Sequence, residues 1–215
     1  MESGALKTKD IQKVYDRLSI VYNCFDIFES KAKNRSVELL TRFPAQRILC
    51  VGSGTGRELW QIRKRIGCEG FLYSFDLSFP MLSLDHGQSS IFKCQGDASH
   101  LPFAEGVFDQ IYAAYILDLL SVNEIPEVLS GFYRILNPDG RLVLLYLSEG
   151  IDIPSRAIVR LWKKLYRVSP YICAGCRPLK LAHLVKSSGF KIQENEVIVQ
   201  YGVPSEIIVS IKIHE

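Results

Sequence analysis

A glycine-rich turn carries the strongest chemical signal in this sequence. The segment Gly52-Ser53-Gly54-Thr55-Gly56 follows the apolar run RILCV and precedes apolar residues at helical spacing. Glycines between a strand and a helix allow positive φ angles, and they let a ligand approach the backbone where a Cβ would block it. The third glycine comes one residue earlier than in the dinucleotide fingerprint, so the spacing disfavours NAD. The alternative is a turn that serves only the strand-to-helix geometry.

Two aspartates follow the next two apolar runs and could complete a ligand site. Asp76 ends the second run, where a carboxylate can accept both ribose hydroxyls of an adenosine ligand. Asp97 follows the third run; it could accept from an adenine amino group while the backbone N–H of Ala98 meets a ring nitrogen. Each has a structural alternative: Asp76 as the N-cap of a helix over 78–88, and Asp97 as a turn residue that bonds its own backbone.

The elements that must position these residues are strands alternating with helices. Apolar runs predict the strands, at 47–52, 71–76, 91–96, 107–115 and 141–147. Because these runs are apolar on both faces and helical stretches separate them, they predict a parallel sheet covered by helices on both sides. Open sheets of this kind bind ligands at the carboxyl edge of their strands, where the glycine turn lies. Two further runs, at 190–200 and 205–213, predict two sequential strands that pair antiparallel at the C-terminal end of the fold.

The remaining periodicity predicts helices. Residues 10–42 carry apolar positions at helical spacing and predict one or two helices before the main fold. Later stretches predict helices at 122–136, 154–167 and 179–188. Since no repeat or linker divides the chain, we predict a single domain over 1–215, with a helical N-terminal arm at 1–45 that covers the site and a core at 46–215.

Composition excludes several classes of protein. The chain has 215 residues, 47% apolar and 23% charged, so it can bury a core and is not disordered, collagen-like or a coiled coil. Its formal charge of +3 is too small to argue for a nucleic-acid partner. Its longest apolar runs are far shorter than the ~20 residues of a membrane span.

The six cysteines are scattered along the chain. Together with an N-terminal segment that lacks an apolar signal core, they predict reduced thiols in the cytoplasm. Cys173 and Cys176 form a C-x-x-C pair, but zinc usually requires a second pair of ligands. We therefore predict a structural loop there and no metal.

The predicted helix at 154–167 is basic and amphipathic. Five basic residues recur on it opposite apolar residues at 158, 161, 162 and 165: Arg156, Arg160, Lys163, Lys164 and Arg167. A basic amphipathic helix can rest on anionic lipid, so one interpretation is peripheral membrane contact through 156–167. The alternative is a solvated face over a buried one.

Taken together, the motifs resemble a known family. In order and spacing, five segments are similar to class I S-adenosylmethionine-dependent methyltransferases: ILCVGSGTG (48–56), YSFDLSFPML (73–82), GDASHLPF (96–103), FDQIYAAYILDLL (108–120) and RILNPDGRLVLLYL (134–147). The segment YDRLSIVYN (15–23) resembles the N-terminal segment of the menaquinone and ubiquinone C-methyltransferases. The C-terminal segments CRPLKLAHLVKSSGF and YGVPSEIIVSIK resemble bacterial relatives of that branch.

The resemblance implies both a fold and a reaction. The fold would be α/β, three-layered and Rossmann-like, with a mainly parallel seven-stranded sheet and an antiparallel C-terminal strand. The reaction would be methyl transfer from S-adenosylmethionine, by in-line displacement, to a small or amphipathic acceptor of quinone-like or lipid-like kind. The enzyme would be a monomer or homodimer without a nucleic-acid partner. Two alternatives stay open: a non-catalytic cofactor-binding protein of the same fold, and a nucleotide-dependent oxidoreductase.

The resemblance also assigns residues to the cofactor. The turn from Gly52 to Gly56 would contact the methionine moiety, and Asp76 would contact the ribose. Leu77 and Met81 would contact the adenine face, and Asp97 with Ala98 would contact its edge. Tyr115 would lie below the sulfonium. Tyr15 and Tyr22 could add cation–π attraction to the sulfonium, the alternative being ordinary helix packing.

Two positions depart from the family pattern. Cys50 stands where many relatives have Asp or Glu near the cofactor's amino group, so water or backbone carbonyls would have to substitute. Asp118 stands where many relatives have His. Asp118 and Tyr22 are the candidates for a catalytic base; the alternative for Asp118 is a polar residue at a helix start.

Overall fold

The computed structural model describes residues 5–18, 26–67, 70–84 and 91–213, and one seven-stranded sheet organises them. The strands are β1 (Arg47–Val51), β2 (Phe71–Asp76), β3 (Ile91–Gln95), β4 (Phe108–Ala114), β5 (Leu136–Leu147), β6 (Phe190–Gln200) and β7 (Val203–Lys212). They lie in the order β3-β2-β1-β4-β5-β7-β6. The first five pair in parallel, and β7 pairs antiparallel with both of its neighbours. The predicted fold class is confirmed.

Helices cover both faces of the sheet. They are α1 (Thr8–Leu18), α2 (Asp26–Thr41), α3 (Arg57–Ile66), α4 (Phe79–Ser83), α5 (Ile125–Ile135), α6 (Ile153–Val168) and α7 (Ala182–Ser187). Alternate residues of β1 enter different cores: Leu49 and Val51 pack in the cluster that contains α5, whereas Ile48 and Cys50 pack with α2 and α3. This alternation explains why β1 is apolar throughout.

Helix α2 is fixed to the C-terminal strands. The backbone N–H of Lys31 donates to the Gln200 side chain at 2.8 Å, and that side chain donates to the carbonyl of Ile27 at 2.7 Å. Arg35 pairs with Glu196 at 2.6 Å. Helix α2 also contacts α3, where the Gln61 side chain donates to the Asn34 Oδ1 at 2.9 Å, and this places the polar residues of α2 near the glycine turn.

Several predicted boundaries are wrong. Helix α4 ends at Ser83, whereas a helix over 78–88 was predicted; residues 85–90 lie outside the described chain. Helix α7 begins three residues later than predicted, because Leu179 donates its N–H to the Leu147 carbonyl and extends the sheet edge. Strand β5 begins at Leu136, because Leu136 pairs with Phe108 before a shift in register.

The buried and exposed residues of helix α6 differ in part from those predicted. The apolar residues predicted to lie buried opposite the basic ones are partly solvent-facing, with Leu161 57% exposed and Leu165 38% exposed. The buried face of α6 is formed instead by Ser155, Val159 and Tyr166, so the interpretation of a solvated face over a buried one holds for other residues than those predicted. None of the helices within the described ranges is long and apolar enough to cross a membrane.

Candidate functional site

The glycine turn opens onto a cavity at the carboxyl edge of the sheet, here called the cleft. Gly52 and Gly54 line it with φ angles of 66° and 54°, a region that L side chains rarely adopt. A Cβ built on Gly54 would meet no described atom within 4 Å, so this glycine faces open space. Gly56, with φ 78°, forms the N-terminal end of α3 and lines no part of the cleft.

Asp76 lines the cleft and also holds the glycine turn in place. Its Oδ2 accepts from the N–H of Gly54 at 2.8 Å, and its Oδ1 accepts from the N–H of Ser78 at 2.9 Å. Burial raises the pKa of Asp76, while these backbone hydrogen bonds oppose the rise. Ser78, and not Asp76, caps α4, accepting from the N–H of Met81. Because each carboxylate oxygen has two acceptor sites, Asp76 can still accept from a ligand.

The third strand contributes the far wall of the cleft. Asp97 and Ala98 line it beside Leu77, and Asp97 also accepts from the N–H of Ser99 at 3.0 Å, as its turn alternative predicted. Met81 does not line the cleft. It is 1% exposed, because it points inward from the short helix α4.

Two tyrosines separate the cleft from its neighbours. Tyr115 adopts a φ of 53° at the end of β4, and its hydroxyl lies 2.7 Å from the Ser205 Oγ. Tyr15 of α1 lines the cleft, with its hydroxyl 3.6 Å from the Cys176 Sγ. Tyr22 lies outside the described residues. The same side chains, Tyr15 and Tyr115, also line a second large cavity.

That second cavity is here called the apolar cavity. Its walls are mainly aromatic and aliphatic, and they include Phe28, Trp162, Ile172 and Leu147. The Trp162 indole is fixed by donating to the Cys176 carbonyl at 2.9 Å. Cys176 and Cys173 line the same cavity, so the C-x-x-C loop forms part of its wall.

Asp118 is buried at the edge of the apolar cavity. It lies in the first turn of a 3-10 helix (Leu117–Leu119), as the helix-start alternative expected, and it is 0% exposed. Its Oδ2 accepts from the N–H of Leu147 at 2.8 Å, whereas its Oδ1 is buried without a hydrogen-bond partner among the described residues. Burial raises the pKa of Asp118 to about 7, opposed by the hydrogen bond from Leu147.

A smaller cavity, here called the polar cavity, lies on the other side of the glycine turn. Ser53 and Thr55 line it together with Cys50. Two charged residues from neighbouring helices complete it, Lys33 of α2 and Glu58 of α3, whose Nζ and Oε1 lie 3.4 Å apart. Sequence reasoning missed both of them, and no motif marks them.

Comparisons with known proteins agree with this geometry. The family model of a methyltransferase domain matches residues 49–144, from β1 into β5. The ubiquinone/menaquinone biosynthesis C-methyltransferase UbiE of Wigglesworthia glossinidia brevipalpis is 25% identical over 78% of this chain and 68% of its own length. The UbiE protein of Methylococcus capsulatus is 30% identical over 66% of this chain and 62% of its own length. This chain thus spans about two thirds of these curated relatives.

A solved structure extends the likeness to almost the whole chain. The methyltransferase found in complex with the Trm112 methyltransferase activator of Haloferax volcanii has a TM-score of 0.76 at 13% identity, covering 95% of this chain and 98% of that one. Residues 49–144 therefore match a methyltransferase domain, and the chain is similar to class I S-adenosylmethionine-dependent methyltransferases. The predicted family, enzyme class and cofactor are confirmed.

The residues of this methyltransferase fit its cofactor. Gly54 presents a backbone surface without a side chain to the cleft, and the cleft continues past the turn into the polar cavity. In the polar cavity, the Glu58 Oε1 is buried without a hydrogen-bond partner among the described residues. A buried carboxylate oxygen of this kind can accept a charge-assisted hydrogen bond from the ammonium group of an amino acid.

Proposed function

We propose that this methyltransferase transfers the methyl group to an apolar acceptor, quinone-like or lipid-like, held in the apolar cavity. One observation carries the proposal: the cleft and the apolar cavity share the walls formed by Tyr15 and Tyr115, and a buried carboxylate, Asp118, lies on the acceptor side. The names of the UbiE relatives, which refer to quinone biosynthesis, support the same class of acceptor.

We assign the cleft to the adenosine part of the cofactor. Asp76 is placed to accept from ribose hydroxyls, and Asp97 with Ala98 to bond the edge of the adenine, beside Leu77. When bound, S-adenosylmethionine supplies a methyl group that is already activated by the positive sulfonium. The chain's own task is therefore to align the acceptor with that group, which can contribute about 7–11 kcal/mol in well-positioned reactions.

We further propose that Asp118 takes the proton that the acceptor must lose. In the in-line displacement, the bond from the acceptor to the methyl carbon forms as the sulfur–carbon bond breaks. A proton from the acceptor hydroxyl or ring carbon then passes to the Asp118 Oδ1, which faces no other donor among the described residues. A base with a pKa of about 7 is well matched to neutral pH.

The N-terminal arm at 1–45 is proposed to cover the bound molecules. Four side chains of α1 support this: Thr8, Ile11, Gln12 and Tyr15 line the cleft. Gln12 also donates to the Leu77 carbonyl, beside the proposed adenine position, at 3.3 Å.

Helix α6 and the turn after it are proposed to rest on an anionic lipid surface. Leu161, Leu165 and Val168 form an exposed apolar stripe, the last of them 78% exposed, and Ile172 continues it to the wall of the apolar cavity. Exposed basic residues flank this stripe: Arg156, Arg160, Lys164 and Arg167. An apolar stripe with a basic border suits an interfacial helix. A lipid-soluble acceptor would then reach the apolar cavity from the membrane.

Vesicle sedimentation tests the lipid surface. We expect the protein to sediment with vesicles of phosphatidylglycerol and phosphatidylcholine, but not with phosphatidylcholine alone, and the double variant Leu161→Glu/Leu165→Glu to stay in solution. Trp60→Glu on α3 is the matched control, because Trp60 is also exposed, at 46%, but lies on another helix. Equal sedimentation of the double variant and this control would overturn the assignment.

Label transfer tests the proposed reaction. The protein is incubated with S-adenosylmethionine labelled at the methyl group and with an extract that contains lipids and small molecules, and the labelled product is identified. We expect the label in an aromatic, apolar compound of the quinone type. Label in a polar amine or acid would contradict the proposed acceptor. Cofactor binding without transfer to any fraction would favour a non-catalytic role.

A further inference from the structure

A buried charge cluster connects the N-terminal arm to the glycine turn. The Lys33 Nζ lies 3.1 Å from the Glu29 Oε2, one turn away on α2, and 3.4 Å from the Glu58 Oε1 on α3. All three side chains are mostly buried, with exposures of 7% for Lys33, 23% for Glu29 and 16% for Glu58. Two carboxylates and one ammonium group leave the cluster with a formal charge of minus one.

This cluster is placed to meet one end of an extended ligand. The cleft and the polar cavity meet at Gly52 and Gly54, so a molecule with its nucleoside beside Asp76 continues past the turn toward Glu58 and Lys33. The Glu58 Oε1 has an unused acceptor position, and the Lys33 ammonium group has three N–H donors. An acceptor beside a donor matches a zwitterion, in which an ammonium group lies next to a carboxylate.

The cluster also accounts for the departure at Cys50. Cys50 is 2% exposed and lines the polar cavity, where a thiol offers little to a cation. Burial, and secondarily the nearby Glu58 carboxylate, raises the pKa of the Cys50 thiol well above its usual value, so the thiol carries no charge at neutral pH. The carboxylate missing from β1 therefore has a counterpart 8 positions later in the chain, on the first turn of α3.

We propose that Glu58 and Lys33 form the subsite for the α-amino-acid end of the cofactor, Glu58 accepting from its ammonium group and Lys33 donating to its carboxylate. The inference rests on the proposed function, since it requires the adenosine to occupy the cleft. The formal charge of minus one then complements the cofactor, whose ammonium and sulfonium groups outweigh its single carboxylate. Because Lys33 lies on α2, the subsite also links cofactor affinity to the docking of the arm.

Three thioethers isolate the contributions of the two residues. S-adenosylhomocysteine keeps the whole amino-acid end, its decarboxylated analogue keeps only the amine, and 5′-methylthioadenosine lacks both. Isothermal titration calorimetry gives the affinity of each ligand for each variant without any methyl acceptor. Glu38→Gln is the matched control, because Glu38 lies on α2 but pairs with Arg35 on the exposed side.

We expect Glu58→Gln to weaken S-adenosylhomocysteine and its decarboxylated analogue about tenfold to a hundredfold, the range for hydrogen bonds to charged groups. Lys33→Met should weaken S-adenosylhomocysteine by a similar factor but spare the decarboxylated analogue. Neither variant should change the affinity for 5′-methylthioadenosine by more than about twofold, so that ligand also reports that the cleft is folded.

The possible failures can be told apart. Equal losses for all three ligands would indicate general damage to the cleft, and unchanged affinity for S-adenosylhomocysteine in Glu58→Gln would remove Glu58 from the site. Either result overturns the subsite. If the unaltered protein binds none of the three ligands, the proposed function itself fails.

Discussion

Replacing Asp118 by asparagine should change how stability depends on pH. The pKa of this carboxyl group rises from its usual 3.8 to about 7 in the folded protein, first because of burial and further because of Glu29, while Leu147 and Arg177 oppose the rise. A raised pKa means that the folded protein holds the proton more tightly than the unfolded chain. Protonated Asp118 therefore contributes its full stability below pH 4, and this stability is lost as the pH rises to 7. Each pKa unit corresponds to about 1.4 kcal/mol, so the loss amounts to about 4 kcal/mol.

Urea unfolding, followed by tryptophan fluorescence between pH 4.5 and 8.5, measures the effect. Because asparagine does not titrate, the free energy of unfolding of Asp118→Asn minus that of the unaltered protein should increase steadily with pH and level off above 7. Asp139→Asn, at an exposed position of β5, is the control for the same chemical change. If the difference for Asp118→Asn stays constant across the range, Asp118 titrates as it does in water, and its role as a buried base is refuted.

Three other substitutions test separate parts of the account. Asp76→Ala should weaken S-adenosylhomocysteine and 5′-methylthioadenosine equally, by about 1.5–3 kcal/mol, and calorimetry that shows unchanged affinity would remove Asp76 from the ribose site. Gly54→Ala should cost about 1–2 kcal/mol of stability, because the φ angle of Gly54 is 54°. It should also lower the affinity for S-adenosylhomocysteine, since the new Cβ would project into the cleft. A drop in stability without a loss of affinity would contradict the close approach of the ligand. Phe132→Ala should destabilise the fold by about 3–5 kcal/mol in urea unfolding, because Phe132 is fully buried in the core under the sheet.

Features of the site that depend on local sequence could be predicted. The glycine turn is specified by the strand before it and the helix after it, so its position at the sheet edge followed from a short segment. Asp76 and Asp97 could be placed for the same reason, since each ends or follows a strand. The structure added that Asp76 also bonds the N–H of Gly54, a contact between residues 22 positions apart that requires the pairing of β1 with β2.

Features that depend on packing between distant elements could not be predicted. Lys33 and Glu58 meet only because α2 lies beside α3, and neither residue has a distinctive spacing. The burial of Asp118 arises because its turn lies against the end of β5, where Leu147 donates to it. In α6 the sequence pattern showed two faces but not how much of the apolar one would stay exposed, which depends on the elements that pack against it. Met81 likewise is buried and does not line the cleft, which depends on how α4 packs against the sheet.

A crystal structure of the protein with S-adenosylhomocysteine would test the central claim most directly. We expect the adenosine beside Asp76 and Asp97, the amino-acid end between Glu58 and Lys33, and the sulfur atom near Tyr115, facing the cavity that contains Asp118. A ligand bound elsewhere, or one whose sulfur atom faces away from that cavity, would contradict the account.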